Sequence, residues 1–477
     1  MHVSLATIGT LVLLIHLSGG VAAVHAVIYT RTSQGAVAWA VALVTMPYLT
    51  LIPYLFLGQS HFSGYIDARR SGNRQIRALA ALPDTPADPE ASRRATDALG
   101  RDAALAFDRM SGMPLLPGNH VRTLINGTAT FDAIVAALDS AQVYVIVQFF
   151  VVRDDALGQR IKRALLACRA RGVRAYLLYD GIGSHELSGR FVRELQAAGV
   201  EVHKFATRRF INRFQLNFRN HRKIVVVDGQ RAFVGGHNIG VEYLGEKPPL
   251  SPWRDTHIDI CGPVVANIQF VFVEDWFWAT QRVPDVVLSD VTHSANMCCQ
   301  AIVSGPADEF ETCSLFFVNA INAARQRIWL TSPYFVPDEA VFSALKLAVM
   351  RGVDVRILIP SRRDHLMVFS ASNVYANDAV RAGVRMFRYQ PGFLHQKVVL
   401  IDDIAAAVGS PNLDNRSFRL NFELTVLTVD RGFAAEVETM LIADFAESVE
   451  VSLGDFQLVA AWKRAAMRMA CLFSPVL

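Results

Sequence analysis

Two long apolar runs open the chain. Residues 3–30 carry no charged side chain, and residues 36–57 form a second run of the same character. Each run approaches the roughly 20 apolar residues that an α-helix needs to cross a bilayer. The first run lacks a basic start and is too long for the apolar part of a cleaved signal peptide. The pattern predicts a transmembrane helical hairpin over 1–60, and Pro47 and Pro53 leave its second helix open to a kink or a re-entrant path.

A group of arginines follows the second apolar run, whereas the break between the runs holds only Arg31. The group consists of Arg69, Arg70, Arg74 and Arg77. Because basic segments stay on the cytoplasmic side, the rest of the chain is expected in the cytoplasm. The segment 61–104 is predicted to be a basic juxtamembrane region and a linker, with a Pro/Asp/Ala stretch at 83–90. Its arginines fit either contact with anionic headgroups or a solvated basic helix.

Beyond this linker, strand-like and helix-like apolar patterns alternate in two parallel series. The predicted order is strand 143–152, helix 157–170 and strand 175–179 in the first series, and strand 327–330, helix 339–350 and strand 355–359 in the second. In both series an Arg-Gly-Val segment leads from the helix into the next strand. This alternation predicts βαβ units, an α/β fold and a mostly parallel sheet.

One motif, H-x-K-x4-D, occurs once in each series, and the two copies are 174 residues apart. The copies are His221-Arg-Lys223-Ile-Val-Val-Val-Asp228 and His395-Gln-Lys397-Val-Val-Leu-Ile-Asp402. Each is followed by a Gly-rich turn that ends in asparagine. The turns are Gly235-Gly236-His237-Asn238 and Gly409-Ser410-Pro411-Asn412. One accidental copy is expected about one time in a hundred, so two copies with matching turns favour a duplicated site over core histidines beside surface lysines.

The residue types of the motif suit phosphoryl transfer. A phosphodiester is anionic, and Lys223 and Lys397 supply positive charge while the turn asparagines, Asn238 and Asn412, supply amide donors. One neutral imidazole can attack phosphorus, and the other, protonated, can donate to the departing oxygen. Neither a metal nor a cofactor is expected. The motif aspartates, Asp228 and Asp402, lie at strand ends and are interpreted as structural supports.

Composition narrows the alternatives. The six cysteines form no CxxC or Cys/His metal spacing, which is typical of a reduced, cytoplasmic catalytic region. The net charge of +4 is mild and gives no case for a nucleic-acid partner.

Longer stretches of the chain resemble the phospholipase D superfamily and, within it, the bacterial cardiolipin synthases. The matching stretches are Arg219-Asn220-His221-Arg222-Lys223, Trp253-Arg254-Asp255-Thr256-His257, Ser332-Pro333-Tyr334-Phe335-Val336-Pro337, Gly392-Phe393-Leu394-His395, Asn412-Leu413-Asp414-Asn415-Arg416-Ser417-Phe418 and Leu420-Asn421-Phe422-Glu423. The resemblance implies two tandem phospholipase D-like α-β-α repeats, expected at 105–290 and 291–477, packed as a pseudo-twofold unit. The second repeat would end in an amphipathic tail.

The resemblance also implies roles for single residues. His221 would be the nucleophile and His395 the general acid and base. Family members place a carboxylate beyond each motif, and we expect crossed pairs, Asp255 with His395 and Glu423 with His221. The alternative for these acids is an ordinary salt bridge. Gly236 stands where the second turn has Ser410, which would remove one hydroxyl contact to phosphate.

Two further segments have compositions that are compatible with lipid binding. The stretch 208–219 interleaves arginines with phenylalanines, and 456–472 is rich in apolar and basic residues. The first fits either an anionic headgroup site or a packed loop. The second fits either an interfacial helix or core packing.

The favoured function is that of a multi-pass enzyme of the bacterial inner membrane. It would transfer a phosphatidyl group from one phosphatidylglycerol to another and release glycerol. Alternatives are a lipid hydrolase, a transferase that uses phosphatidylethanolamine as donor, a nuclease or phosphodiesterase, and a non-catalytic membrane scaffold. The oligomeric state is left open.

Overall fold

The computed structural model describes residues 5–30, 33–58, 88–205, 218–287 and 291–476. The juxtamembrane arginines and most of the interleaved stretch 208–219 lie outside these residues. The helices are α1 (Leu5–Tyr29), α2 (Ser33–Thr45), α3 (Pro47–Leu57), α4 (Pro89–Leu99), α5 (Arg101–Ser111), α6 (Asn126–Ser140), α7 (Ala156–Ala170), α8 (Gly189–Ala197), α9 (Val264–Thr280), α10 (Thr312–Ala323), α11 (Glu339–Met350), α12 (Leu366–Arg381), α13 (Asn415–Arg419), α14 (Arg431–Ala446), α15 (Leu453–Gln457) and α16 (Ala461–Ala470), with 3₁₀ turns at Val241–Leu244 and Cys471–Val476.

The strands follow the same repeated order. They are β1 (Leu116–Ile125), β2 (Tyr144–Phe149), β3 (Arg174–Asp180), β4 (Glu201–Phe205), β5 (Arg219–Asn220), β6 (Ile224–Val227), β7 (Arg231–Gly235), β8 (Trp253–Arg254), β9 (Thr256–Cys261), β10 (Met297–Ser304), β11 (Arg327–Thr331), β12 (Phe335–Val336), β13 (Asp354–Pro360), β14 (Arg385–Tyr389), β15 (Phe393–Leu394), β16 (Val398–Ile401), β17 (Ala405–Gly409), β18 (Leu413–Asp414), β19 (Asn421–Val429) and β20 (Ser448–Glu450).

The apolar N-terminus folds into one long helix and two shorter ones. Of the described helices, only α1, over Thr7–Tyr29, is long and apolar enough to cross a membrane alone. The second apolar run is divided at Pro47, which has no N–H to continue the helix. The hydroxyl of Thr50 donates to the carbonyls of Ala42 (3.1 Å) and Met46 (2.8 Å) at this break. A Cβ at Gly19 would lie 2.5 Å from the Leu43 carbonyl, so α1 and α2 approach closely there.

Within the described residues, one 16-stranded sheet runs through both halves of the protein. Its order is β4-β3-β2-β6-β7-β9-β1 in the first half and β10-β19-β17-β16-β11-β13-β14-β20 in the second, with β5 attached to β19. The halves meet where β1 pairs antiparallel with β10. The same order of elements on each side of this seam gives the pseudo-twofold arrangement that the sequence predicts.

The prediction of a mostly parallel sheet is wrong. Among the described strands, the longer parallel pairs are those within β2-β3-β4 and β11-β13-β14, and the two-residue pairs β5-β19, β12-β18 and β8-β15 are also parallel. By contrast, β6 and β7 pair antiparallel, as do β16 and β17. The reason is the short turn after each motif, at 228–230 and 402–404, which can only join antiparallel neighbours. The βαβ units themselves match the sequence analysis closely.

Equivalent helices of the two halves begin and end in the same way. Asp155 caps α7 by accepting the Gly158 N–H at 3.0 Å, and Asp338 caps α11 by accepting the Val341 N–H at 2.9 Å. Each helix then ends at a glycine of positive φ, 86° at Gly172 and 81° at Gly352. The Arg-Gly-Val segments are therefore the helix ends that the sequence predicts.

The last part of the expected linker is structured. Asp88 caps α4, which packs against α5, β1 and β10, and α5 packs against α10 of the second half. At this contact the Asn319 amide donates to the Ala103 carbonyl at 2.9 Å. The polar and alanine-rich composition hid these helices, whose apolar positions are few but fall on one face.

Candidate active site

Each histidine follows a short strand that pairs with a strand of the other half of the protein. The residues before His221 form β5, which pairs with the start of β19, and the His221 N–H donates to the Phe422 carbonyl at 3.0 Å. The residues before His395 form β15, which pairs with β8, and the His395 N–H donates to the Arg254 carbonyl at 2.7 Å. Each histidine is thus fixed beside the segment that bears the other half's carboxylate.

The carboxylates pair with the histidines in the crossed arrangement predicted from the sequence. Nδ1 of His221 lies 2.9 Å from both carboxylate oxygens of Glu423, and Nδ1 of His395 lies 2.7 Å from Asp255 Oδ2. A carboxylate only accepts, so each Nδ1 carries the hydrogen and each Nε2 keeps its lone pair. Both acids are fully buried, and Arg254 pairs instead with Asp444. Asp255 therefore pairs with His395 and does not form an ordinary salt bridge with Arg254.

The two lysines lie beside the histidines of their own motifs. Nζ of Lys223 donates to the His221 carbonyl at 2.6 Å, and Nζ of Lys397 donates to the His395 carbonyl. Nζ of Lys397 also lies 3.2 Å from Nε2 of His395. Burial lowers the pKa of Lys223 well below its usual value and that of Lys397 to about 8. Burial thus disfavours the lysine cations, Asp255 and Glu423 oppose that effect, and a bound phosphate would favour the cations further.

Burial also keeps the histidines neutral. It lowers the pKa of His221 to about 4, with Lys223 acting in the same direction and Glu423 opposing it. The pKa of His395 is well below its usual value because of burial and the charges of Lys397, Lys223 and His221. The two rings thus share one electrostatic environment. A bound phosphodiester would add negative charge there and make protonation of one imidazole easier.

Residues of the Gly-rich turns help to position the two carboxylates. The Ser410 hydroxyl donates to Glu423, and the Asn421 amide donates to the same carboxylate at 3.0 Å. Burial raises the pKa of Glu423, but His221, Lys223 and Ser410 outweigh it and hold the pKa at about 2. At Gly236 a Cβ would lie 2.1 Å from Asp255 Oδ1. The Ser410 hydroxyl therefore positions Glu423, and Gly236 makes room for Asp255, while a contact of Ser410 with phosphate stays a prediction.

The turn asparagines contact protein groups. Asn238 donates to the Tyr243 hydroxyl at 2.8 Å and accepts the Val151 N–H at 3.1 Å. Asn412 donates to Asp414 at 3.3 Å. These bonds hold the turns in place, and donation to phosphate stays a prediction.

The motif aspartates anchor the hairpins behind the site. Asp228 accepts the backbone N–H groups of Gln142, Val143 and Tyr144 at 2.8–2.9 Å. Asp402 does the same for Arg325, Gln326 and Arg327 at 2.8–3.2 Å. Both aspartates have positive φ, 52° and 51°. Their contacts agree with the interpretation as structural supports.

A second pair of buried acids escaped the sequence analysis. Asp275 in α9 pairs with Arg222 at 2.7 Å, and Asp444 in α14 accepts from Gln396 at 2.9 Å. Each acid therefore holds the middle residue of one motif. The available signal was an acid flanked by large apolar residues in each helix, since an unpaired carboxylate is seldom fully buried.

Aromatic rings enclose the two histidines. The Phe150 ring lies 5.1 Å from that of His221, and the Trp253 ring lies 5.1 Å from that of His395. Tyr243 and Phe393 also lie near His395, at 6.0 and 6.1 Å. No group of three or more His, Cys, Asp or Glu suited to a metal occurs in the part of the chain that the structure describes.

This duplicated fold, with crossed histidine–carboxylate pairs, defines a phospholipase D-like enzyme. Residues 134–246 and 317–445 match the family model described as cardiolipin synthase, PLD-like domain. The chain belongs to this family and is a phosphatidyltransferase. The family prediction from the sequence is confirmed.

Similar proteins extend over nearly the whole chain. Cardiolipin synthase A of Pseudomonas aeruginosa (strain UCBPP-PA14) is 57% identical over 471 residues, covering 98% of this chain and 96% of that protein. Cardiolipin synthase A of Pseudomonas entomophila (strain L48) is 55% identical over 472 residues, 98% of each. The crystal structure of phosphatidylserine synthase from Haemophilus influenzae Rd KW20 aligns with a TM-score of 0.64 at 14% identity, covering 79% of this chain and 100% of that one. That last likeness concerns the fold alone.

Proposed function

We propose that this phosphatidyltransferase joins two phosphatidylglycerol molecules into cardiolipin, with His221 as nucleophile and His395 as general acid and base. The observation that carries the proposal is the crossed pairing, in which each Nδ1 is held by the other half's carboxylate. Neither Nε2 is then held by a carboxylate, so both can be directed at one phosphorus. The names of the relatives support cardiolipin as the product.

In the first step, Nε2 of His221 attacks phosphorus of the donor lipid. The P–N bond forms, the bond to the headgroup glycerol oxygen breaks, and protonated His395 gives its proton to that oxygen, so glycerol leaves. Lys223 and Lys397 stabilise the charge on the other phosphate oxygens. Glu423 stabilises the positive charge that His221 gains.

In the second step, a glycerol hydroxyl of another phosphatidylglycerol attacks the phosphohistidine. His395, now neutral, accepts the hydroxyl proton, the P–N bond breaks, and cardiolipin leaves. The proton is then on His395, ready for the next donor. Asp255 holds the ring in one tautomer in both steps. Phe150 and Trp253 exclude water beside the rings, which favours an alcohol over hydrolysis.

The membrane arrangement is part of the proposal. The apolar helix α1, over Thr7–Tyr29, would cross the inner membrane, and α2 with α3 would return through it. The arginines after the second run favour a cytoplasmic catalytic region. We also propose that 105–290 and 291–477 are the two repeats. Tethering at the inner leaflet would concentrate the lipid acceptor.

Product analysis tests the proposal. Purified full-length enzyme in detergent with phosphatidylglycerol is expected to form cardiolipin and glycerol in equal amounts. His221→Ala and His395→Ala should each lose cardiolipin formation, whereas His185→Ala, an exposed histidine outside the site, should retain it. Undiminished cardiolipin from either site variant would overturn the roles. Phosphatidic acid as the main product would favour a hydrolase, and product only with added phosphatidylethanolamine would change the donor.

A further inference from the structure

A second cavity lies beside the C-terminal helices, away from the histidines. It has a volume of about 320 Å³ and is enclosed by α12, β14, β20 and the segment from α15 to α16. Asn373, Ala376, Arg388, Val451, Asp455 and Met467 are among its lining residues. In the sheet, β14 lies three strands from β16, the strand after Lys397, which is about 14 Å at the usual strand spacing. The cavity is therefore separate from the reaction centre.

Arg388 is the cation of this cavity. Its guanidinium donates to the Pro360 carbonyl at 3.1 Å and to the Asn373 side-chain oxygen, and it stacks 5.4 Å from the Phe369 ring. All three partners are uncharged. Within the described residues no carboxylate forms an ion pair with Arg388, and burial lowers the pKa of its guanidinium to about 10. A partly buried cation with neutral partners favours an anion in the adjoining space.

The acids that line the cavity form their direct hydrogen bonds with groups other than Arg388. Glu450 forms two hydrogen bonds of 2.8 Å with Arg385, on the same strand as Arg388. Asp455 accepts the Ser452 N–H at 2.8 Å. Asp455 raises the pKa of Arg388, but without direct contact its effect does not outweigh burial. Arg388 remains the group that lacks a charged partner.

The rim of the cavity suits the acyl end of a lipid. Val449, which lines the cavity, is 58% exposed. Leu458 and Trp462, next to or on the same helix as the lining residues Val459 and Met467, are 87% and 70% exposed, which is unusual for large apolar side chains. The neighbouring α16 contains Lys463, Arg464 and Arg468 and no acidic residue. An apolar surface with basic residues is typical of contact with an anionic bilayer surface.

We propose that this cavity is a second anionic-phospholipid site, in which Arg388 binds the headgroup phosphate and the apolar rim contacts the acyl chains. The inference rests on the proposed function only in assuming that anionic phospholipid surrounds the protein. A free phosphate ion offers the same chemistry to Arg388, and the rim favours the lipid.

Hydrogen exchange by mass spectrometry tests this site directly. The full chain carrying His221→Ala, which prevents turnover, is studied in neutral detergent with dihexanoyl-phosphatidylglycerol, dihexanoyl-phosphatidylcholine or inorganic phosphate. Phosphatidylglycerol is expected to slow exchange in the segment 448–459. Arg388→Gln should raise the lipid concentration needed for this protection at least about tenfold, as expected for one charge-assisted contact. Arg431→Gln is the control, because this exposed arginine pairs with Asp403 and does not line the cavity, and it should leave that concentration unchanged.

Several outcomes separate the alternatives. The proposed site would be overturned if none of the three probes slowed exchange in the segment 448–459. It would also be overturned if the Arg388→Gln protein were protected as fully as the parent. Equal protection by phosphatidylcholine would overturn its selectivity for an anionic lipid, and equal protection by inorganic phosphate would identify a free anion as the ligand instead. Unchanged exchange in β2 verifies that the Arg388→Gln protein is folded, and Arg388→Lys should retain part of the protection. Cardiolipin formation by the parent enzyme is measured separately, so failure of the proposed function is recognised independently.

Discussion

Replacing Glu423 by glutamine is expected to slow cardiolipin formation by about 10²–10⁴-fold in a protein that still folds. The carboxylate is fully buried and lies 2.9 Å from Nδ1 of His221 through both oxygens. It selects the tautomer in which Nε2 can attack, and it stabilises the charge that the ring gains. A glutamine amide can instead donate toward Nδ1 and favour the unreactive tautomer.

The magnitude follows from these two contributions. A hydrogen bond to a charged group contributes about 1.5–3 kcal/mol, which is about ten- to 150-fold in rate. Loss of the reactive tautomer extends the effect toward about 10⁴-fold, the loss known for the equivalent change in a serine protease triad. Because the pKa of Glu423 is held at about 2, the carboxylate is ionised throughout the working pH range, so the loss should be the same at every pH above about 5.

The assay is the initial rate of glycerol release from phosphatidylglycerol micelles, with the thermal midpoint measured on the same samples. Ser410→Ala is the matched control, because it removes one hydroxyl bond to Glu423 and leaves the carboxylate in place. It should cost less than about tenfold. A Glu423→Gln enzyme that folds and works within about threefold of the parent would refute the reasoning.

Three other predictions concern the charge of Lys397, the contacts of the motif aspartates and the space at Gly236. The kcat/KM should fall above about pH 8, because burial has lowered the pKa of Lys397 to about 8 and its cation is lost as the pH rises; a rate that stays constant to about pH 10 would contradict this. Asp228→Ala and Asp402→Ala should each lower the unfolding free energy by about 2–4 kcal/mol, because each removes hydrogen bonds from three backbone N–H groups of the same half. The kcat of the folded enzyme should not change, and denaturant titration and initial rates measure the two quantities. A kcat loss above about tenfold in either would assign it a direct role. Gly236→Ala should lower kcat at least about tenfold, because its Cβ would displace Asp255, and normal activity would show that this acid can move freely.

Much of the fold and site follows from local patterns. The βαβ units were predictable because buried strands and Gly-ended helices have distinct apolar periods, and α11 begins and ends at the predicted residues. The exact repeat of His, Lys and Asp at one offset identified both halves of the site. The pairing of Glu423 with His221 needed the resemblance to known proteins, since these residues are 202 positions apart.

Other features depend on tertiary contacts that a sequence pattern does not encode. The antiparallel hairpins after each motif followed from turn geometry, and α4 packs on the second half although it belongs to the expected linker. The role of Ser410 depended on which neighbour its hydroxyl reaches. Asp275 gave only a weak signal, because its role becomes visible only when the fold brings Arg222 against it.

The claim that two histidines serve one phosphorus is tested most directly with a phosphatidyl p-nitrophenyl ester, whose leaving group departs without protonation. His395→Ala is predicted to release about one p-nitrophenolate per chain in a rapid burst and then stop, because it forms the phosphohistidine but lacks the base for the second step. Mass spectrometry should locate the phosphatidyl group on His221, and His221→Ala should show no burst. A full burst from His221→Ala, or a phosphatidyl group on another residue, would contradict the account.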